Sequence, residues 1–235
     1  MKTGRILKTM AIATLLGLSG CATRGPKALH MLADSGDRAL ARGDCAQAER
    51  DYAEYVQRDQ SDGRARLQYG KALLCLGRVK EARENLEKAY TVMPNNDDAI
   101  FTLAEARAQD RDMEGAVRLV RAVAEDRKRP SDWILLGKFL ERANAHDDAE
   151  QAYLSAARGD LGYSLAPQLA LAEFYERVGQ REQAIERYRM CLYVSPGNRE
   201  MAKRLQAYGV PGTRASAVRP PEQLPPTTTQ VPVSP

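Results

Sequence analysis

The chain has 235 residues, 43% hydrophobic, 28% charged and only 6% aromatic, which is enough apolar surface for a core and too much for a disordered polypeptide. Its net charge of +4 sits mostly at the start: Lys2, Arg5 and Lys8 stand among 21 residues that hold no acid, and without them 32 basic residues face 31 acidic ones. A nucleic-acid binder needs a basic stripe that persists through the working chain, and none survives that subtraction. Ala is abundant while β-branched and aromatic residues are sparse, which predicts an all-α fold.

Residues 1–20 read as a secretory signal: a basic stretch from Lys2 to Lys8, then the apolar run Met10–Leu18, then small residues. That run falls well short of the roughly 20 apolar residues of a spanning helix. The sequence Leu18-Ser19-Gly20-Cys21 resembles the lipobox of bacterial lipoproteins. The resemblance implies cleavage before Cys21, a diacylglyceryl thioether on its sulfur and an acyl chain such as palmitate on the new amino group. An ordinary signal peptide that happens to end in Cys is the competing reading. Several acyl chains on one residue suffice for stable anchoring without a span. Ala22 stands where an Asp would look like an inner-membrane retention signal, so the resemblance points to the periplasmic side of the outer membrane. In a bacterium with one membrane it points to the cell membrane. Residues 21–27 are then the lipidated Cys and a short linker.

From about residue 28 the sequence repeats itself. Small residues recur at Gly36, Gly70, Ala104, Gly137 and Ala172, a second series follows twelve positions later at Ala48, Ala82, Ala116, Ala149 and Ala184, and a third comes four positions after that at Tyr52, Leu86, Val120, Tyr153 and Tyr188. Apolar residues run at helical spacing within each unit, which breaks near its middle at Gly43, Gly77, Asn144 or Gly179. Each unit is expected to be two short antiparallel helices, A and B. The pattern resembles the tetratricopeptide repeat over five units, from about His30 to Asn198. The third and first units depart from it: Arg107 and Arg111 replace an apolar residue and a Gly, and Ser35 and Gln60 replace an apolar residue and a Pro. The stretch Asn198–Tyr208, with Met201 and Leu205, reads as the cap helix that an array needs. The expected fold over residues 28–208 is an all-α, right-handed superhelical solenoid of about five such repeats and a cap. Residues 209–235 hold seven of the twelve prolines and are expected to form a disordered or polyproline-like, Pro-rich tail.

The resemblance implies that helix A of each unit lines a concave groove that takes a partner. Carried over by position, the concave set is Leu67, Lys71 and Leu74, then Phe101, Glu105 and Gln109, then Ile134, Lys138 and Glu141, then Leu169, Glu173 and Glu176, of which Leu67, Lys71, Phe101, Glu105, Ile134, Lys138, Leu169 and Glu173 are the expected partner contacts. The competing reading of each charge is simple solvation of a helix face. Trp133 matches a core position of its unit. Arg127-Lys128-Arg129 precedes Pro130 and suits a helix C-terminus, where cations meet the negative end of the dipole. Cys45, at the start of one helix B, and Cys75, near the end of the next helix A, fall on antiparallel neighbours, which suits a disulfide in an oxidising compartment or two buried free thiols. Cys191 matches a small packing position and is expected to stay free.

His30 and His146 stand alone, so no metal site is expected. No phosphate loop, nucleophile elbow or zinc-protease helix is present, so no enzyme and no cofactor is expected. The expected role is a membrane-anchored protein-binding scaffold, whose architecture resembles that of pilotins and assembly lipoproteins of secretin-dependent pili. An adaptor or regulator of a peptidoglycan or envelope hydrolase is the alternative. The partner is expected to be an envelope protein, with neither a nucleic acid nor a small molecule as ligand.

Overall fold

The structure is a computed structural model and describes residues 27–223. The signal segment and Cys21 lie outside the described residues. Eleven α-helices and two short 3-10 turns make up the regular structure among the described residues. The first unit pairs α1 (Leu29–Ala41) with α2 (Cys45–Arg58), the second α3 (Gly63–Cys75) with α4 (Val79–Val92), and the third α5 (Asp97–Gln109) with α6 (Met113–Arg127). The fourth pairs α7 (Pro130–Arg142) with α8 (His146–Gly159), the fifth α9 (Leu165–Arg177) with α10 (Arg181–Val194), and α11 (Arg199–Ala207) closes the stack. Every helix packs on the next in sequence, and α1 on α3, α3 on α5 and α7 on α9 also touch, which makes the array a solenoid of helix pairs.

Local chemistry sets the boundaries. Asp44, Asp62, Asn96 and Asp112 cap α2, α3, α5 and α6, each accepting from the backbone N–H three residues on. Pro130 opens α7, where its missing N–H costs nothing. Helix A ends each time with a residue at positive φ: Gly43, Gly77, Arg111, Asn144 and Gly179, at 73°, 74°, 64°, 57° and 77°. The next residue then donates its N–H back into the helix, as Asp44 does to the Ala39 carbonyl and Asp112 to that of Arg107. Arg111 thus makes the turn in the third unit without the glycine that makes it easy.

The three small and aromatic series meet in the core. Ala48, Ala82, Ala116, Ala149 and Ala184 have no exposed surface at all. A methyl added at Gly36 would lie 2.5 Å from the Tyr52 ring, one at Gly70 2.5 Å from Leu86, and one at Gly137 2.7 Å from the Tyr153 ring. The sixteen-residue step between the first and third series is therefore a contact between helices A and B of one repeat. Trp133 is half-buried against the same core. One continuous apolar cluster runs from Leu67 to Leu205, while the first unit packs through two small clusters around Ala39 and Tyr52. Cys45 and Cys75 are joined there as a disulfide, with Cα atoms 6.0 Å apart.

Residues 209–223 differ from the expected disordered tail. This strap leaves α11 through Gly209 and packs Val210 and Ala217 on the core, and Pro220 is buried. Arg189 donates its Nε to the Ser216 carbonyl at 2.7 Å, and the Val218 N–H donates to the Arg189 carbonyl at 3.2 Å. Proline excludes an α-helix here, yet a segment of irregular backbone with short 3-10 turns at Arg214–Ser216 and Pro221–Gln223 stays ordered when it packs on the core and its backbone finds partners. Residues 224–235 lie outside the described residues.

Candidate peptide-binding groove

The helix A face resolves into two kinds of charge. Most of its charged residues bind the next repeat. Asp37 on α1 pairs with Arg64 on α3 at 3.2 Å, Lys71 on α3 with Asp98 on α5, and Glu105 on α5 with Arg142 on α7 at 2.5 Å. Glu141 on α7 accepts from Nε and Nη2 of Arg177 on α9, each at 2.8 Å, and Glu176 on α9 takes Arg204 on α11 at 2.6 Å. Lys71 and Glu105, expected as ligand contacts, are thus engaged as staples between units. Lys138 and Glu173 have no ion-pair partner within 4.0 Å among the described residues.

The aromatic hydroxyls support the staples. Tyr52 donates to Asp37 at 2.5 Å, Tyr153 donates to Glu141, and Tyr188 donates to Glu176 at 2.8 Å. Burial pushes the Glu141 carboxyl up, but the Arg177 guanidinium and the Tyr153 hydroxyl outweigh it and hold the group below its ordinary range. Glu176 follows the same balance, with burial opposed by the hydroxyls of Tyr188 and Tyr208 and the charge of Arg204. Burial above all, then the carboxylate each one faces, raises the Tyr153 and Tyr188 hydroxyls, so both are neutral donors.

Between α7 and α9 the face opens into a cleft of about 650 Å³. Ile134, Leu169, Ala166 and Ala170 form its apolar floor, Lys138 and Glu173 stand on it, and the Glu141–Arg177 pair closes one end. Four of the eight expected groove residues therefore meet in one place. The others do not. Leu67 is 3% exposed and belongs to the core, a correction that follows from the packing of α3 against both neighbours. Phe101 is 47% exposed on α5 and does not line this cleft. Arg142 and Arg177 were not singled out in the sequence. Their signal was an Arg 36 or 37 positions after an acid of the previous helix A, a spacing that matters only once the units are stacked.

The remaining polar features are structural. Arg127 and Arg129 both pair with Asp97, at 2.7 and 2.6 Å, so two of the three clustered cations are engaged at the start of α5. His30 and His146 are exposed. Burial pushes the Cys191 thiol up to about 12, which leaves it a packing group and a poor nucleophile. No group of three metal-ligating side chains occurs, and no helix is long and apolar enough to cross a membrane, among the described residues. What this arrangement offers is a binding surface: an apolar floor with a cation and an anion that have no ion-pair partner among the described residues.

Comparison with known proteins agrees with the geometry. Two family models described as the tetratricopeptide repeat match residues 76–138 and 169–201. No curated protein sequence matches the chain. Among solved structures, MamA is 22% identical, with 82% of this chain and 98% of that one covered at a TM-score of 0.54. TTC0263, a thermophilic TPR protein of Thermus thermophilus, is 20% identical, with 77% and 98% covered at 0.52. YrrB, described as a TPR protein with an unusual peptide-binding site, is 17% identical, with 76% and 91% covered at 0.50. Identities this low bear on the fold alone, and on that they agree with the packing: the described chain is a solenoid of tetratricopeptide repeats.

Proposed function

We propose that the chain is a membrane-anchored, non-catalytic scaffold that holds a peptide or helix of another envelope protein in the cleft between α7 and α9. The observation that carries the reading is the contrast along the helix A face. Elsewhere most of its charges are paired with the next repeat, whereas Lys138 and Glu173 have no ion-pair partner among the described residues and stand beside the half-buried Ile134 and Leu169. Apolar anchors supply most of the affinity in such sites, and flanking charges set register and on-rate. YrrB, by its description, has a peptide-binding site on the same kind of scaffold. The lipobox at Leu18–Cys21 supports attachment through Cys21 to the outer membrane, facing the periplasm. A lipid-anchored repeat array suits a factor that assembles or localises an envelope machine such as a secretin or pilus system.

Two measurements test it. A photo-crosslinker placed at Leu169 in native membranes should join the cleft to a defined segment of an envelope protein, and Lys138→Glu with Glu173→Lys should abolish that adduct. Equal capture by wild type and variant removes the cleft as the site. Radioactive palmitate should label the wild-type protein and not Cys21→Ala, and labelling of both removes the anchor.

A further inference from the structure

The strap ends in a site built for a carboxylate. Arg187 on α10 has only 11% of its side chain exposed, and the Glu222 carboxylate 8%. The Arg187 guanidinium donates to Glu222 Oε1 and to Gln168 Oε1, both at 2.8 Å, and Gln168 Nε2 donates to Glu222 Oε2 at 3.2 Å. Gln168, on α9, is completely buried. A few residues earlier Pro220 lies against Gly162, in the loop between α8 and α9, where an added methyl would come within 2.8 Å of the proline ring. Gln223 closes the contact by donating Nε2 to the Gly162 carbonyl at 2.7 Å. The groove described above uses Ala166, Leu169, Ala170 and Glu173 of α9, so Gln168 faces away from it toward a second surface.

We propose that this surface is a second peptide-binding site, selective for a segment in which a carboxylate follows paired prolines and is presented on a short 3-10 turn, and that the chain's own Pro220-Pro221-Glu222 fills it in cis, with Pro221–Gln223 as that turn. The reasons are physical. The contacts that hold the segment are of the kind that recognises a separate peptide: a buried guanidinium for the carboxylate, a buried amide that bridges the two, and a glycine floor for a proline ring. Proline fixes φ at about −65°, a value that the 3-10 turn Pro221–Gln223 also uses, so little entropy is lost when such a segment docks. Between Pro211 and Ala217 the backbone N–H bonds are internal to the strap, from Ser216 to Thr213 and from Ala217 to Arg214, and the tie to α10 there is the bond from Arg189 to the Ser216 carbonyl, so the strap can leave while the helices stay folded. Removing the strap would take from Arg187 and Gln168 the acceptor they share, which an equivalent carboxylate-bearing segment would restore.

The test uses the full chain and a fluorescein-labelled peptide of residues 216–223. Glu222→Arg places a cation against Arg187 and should undock the strap. By anisotropy that chain should bind the peptide about tenfold or more tightly than wild type, whose site is filled, and a peptide with Gln in place of its Glu should bind it about tenfold or more weakly. Absence of binding, or equal binding by wild type and variant, overturns the proposal and leaves the strap a fixed cap. Should Glu222→Arg lose helicity, hydrogen exchange of the unaltered chain decides instead. The Val218 amide, bonded to the Arg189 carbonyl, should exchange about tenfold or more faster than the amide of Cys191 in α10. Equal protection of the two shows that strap and helix open together, which the proposal forbids.

Discussion

The ring of Tyr153 lies on Gly137 so closely that a methyl there would sit 2.7 Å from two of its carbons, and the same ring donates its hydroxyl to Glu141 one turn along α7. A single close approach therefore fixes the gap between α7 and α8, and with it the anchor of the inter-repeat pair Glu141–Arg177. Gly137→Ala should push the ring aside and destabilise the array by about 1 to 3 kcal/mol, and Ala149→Leu or Ala82→Leu should cost about as much by overfilling fully buried positions. Thermal melts of the three variants check this, and wild-type melting of all three would mean that the register of small residues does not set the packing.

The turn of the third unit gives the opposite sign. Arg111 holds φ at 64°, a conformation that costs a side-chain-bearing residue about 1 to 2 kcal/mol, and Gly43, Gly77 and Gly179 occupy the matching positions elsewhere. Arg111→Gly should stabilise the protein by about 0.5 to 1 kcal/mol, after the greater freedom of glycine in the unfolded chain is deducted. Gly179→Ala should destabilise it by a similar amount. Urea midpoints of both variants against wild type test the pair.

These turns show how far the sequence could be read. Gly36, Gly70 and Gly137 announced the repeat, because a helix interior uses glycine where a neighbour demands the space, and the fixed step to Tyr52, Leu86 and Tyr153 named the neighbour. The groove was legible only in part. Ile134, Lys138, Leu169 and Glu173 are legible by position, but nothing local distinguishes Lys138, which has no ion-pair partner among the described residues, from Lys71, whose partner Asp98 is 27 residues away. The docking of the strap is not legible for a related reason. Proline content excludes a helix and says little about order, and the partners of Glu222 lie 35 and 54 residues back in the chain.

The Cys45–Cys75 bond crosses the part of the array with the smallest apolar clusters. A loop of 30 residues closed by a disulfide gains about 3 to 4 kcal/mol through the lost entropy of the unfolded chain. Reduction should therefore lower the melting temperature and raise hydrogen exchange in α1 and α2 first, with α7 to α10 unaffected. Mass spectrometry of the alkylated, unreduced protein should find Cys191 blocked only after denaturation. Reduction without effect on α1 and α2 would show that packing alone holds the first unit.

Acid should loosen the stack in a definite range. Glu141, Glu176 and Asp51 all have carboxyls held below their ordinary values; for Asp51, burial is outweighed by hydrogen bonds from Gln47 and Ser35 and the charge of Lys27. A depressed native value means that the unfolded chain binds the proton more readily. The stabilisation is therefore complete above the unfolded value, about 4, and is lost as pH falls through the native ones. The melting temperature should be level from neutral pH to about 5 and fall below about 4. Glu176→Gln should melt lower at neutral pH and show a shallower acid limb, because one of the linked groups is gone.

The division between stapling and free charges makes the last prediction. Glu141 has 15% of its side chain exposed and accepts two hydrogen bonds from Arg177, whose own side chain is 51% exposed. Solvent screens half of that pair, so a double-mutant cycle of Glu141→Ala and Arg177→Ala should give a coupling of about 0.5 to 1 kcal/mol and no more. Lys138 and Glu173 stand a few residues away on the same two helices without an ion-pair partner among the described residues, so Lys138→Ala and Glu173→Ala should each change stability by less than about 0.5 kcal/mol and show no coupling. Binding should reverse the order. The Lys138 and Glu173 substitutions should reduce capture of the cleft's peptide and flatten its dependence on salt, while Arg177→Ala acts only through the shape of the cleft and leaves that salt dependence in place. Measured coupling between Lys138 and Glu173 in the free protein would show that they too bind each other, and the contrast that marks the cleft would be lost.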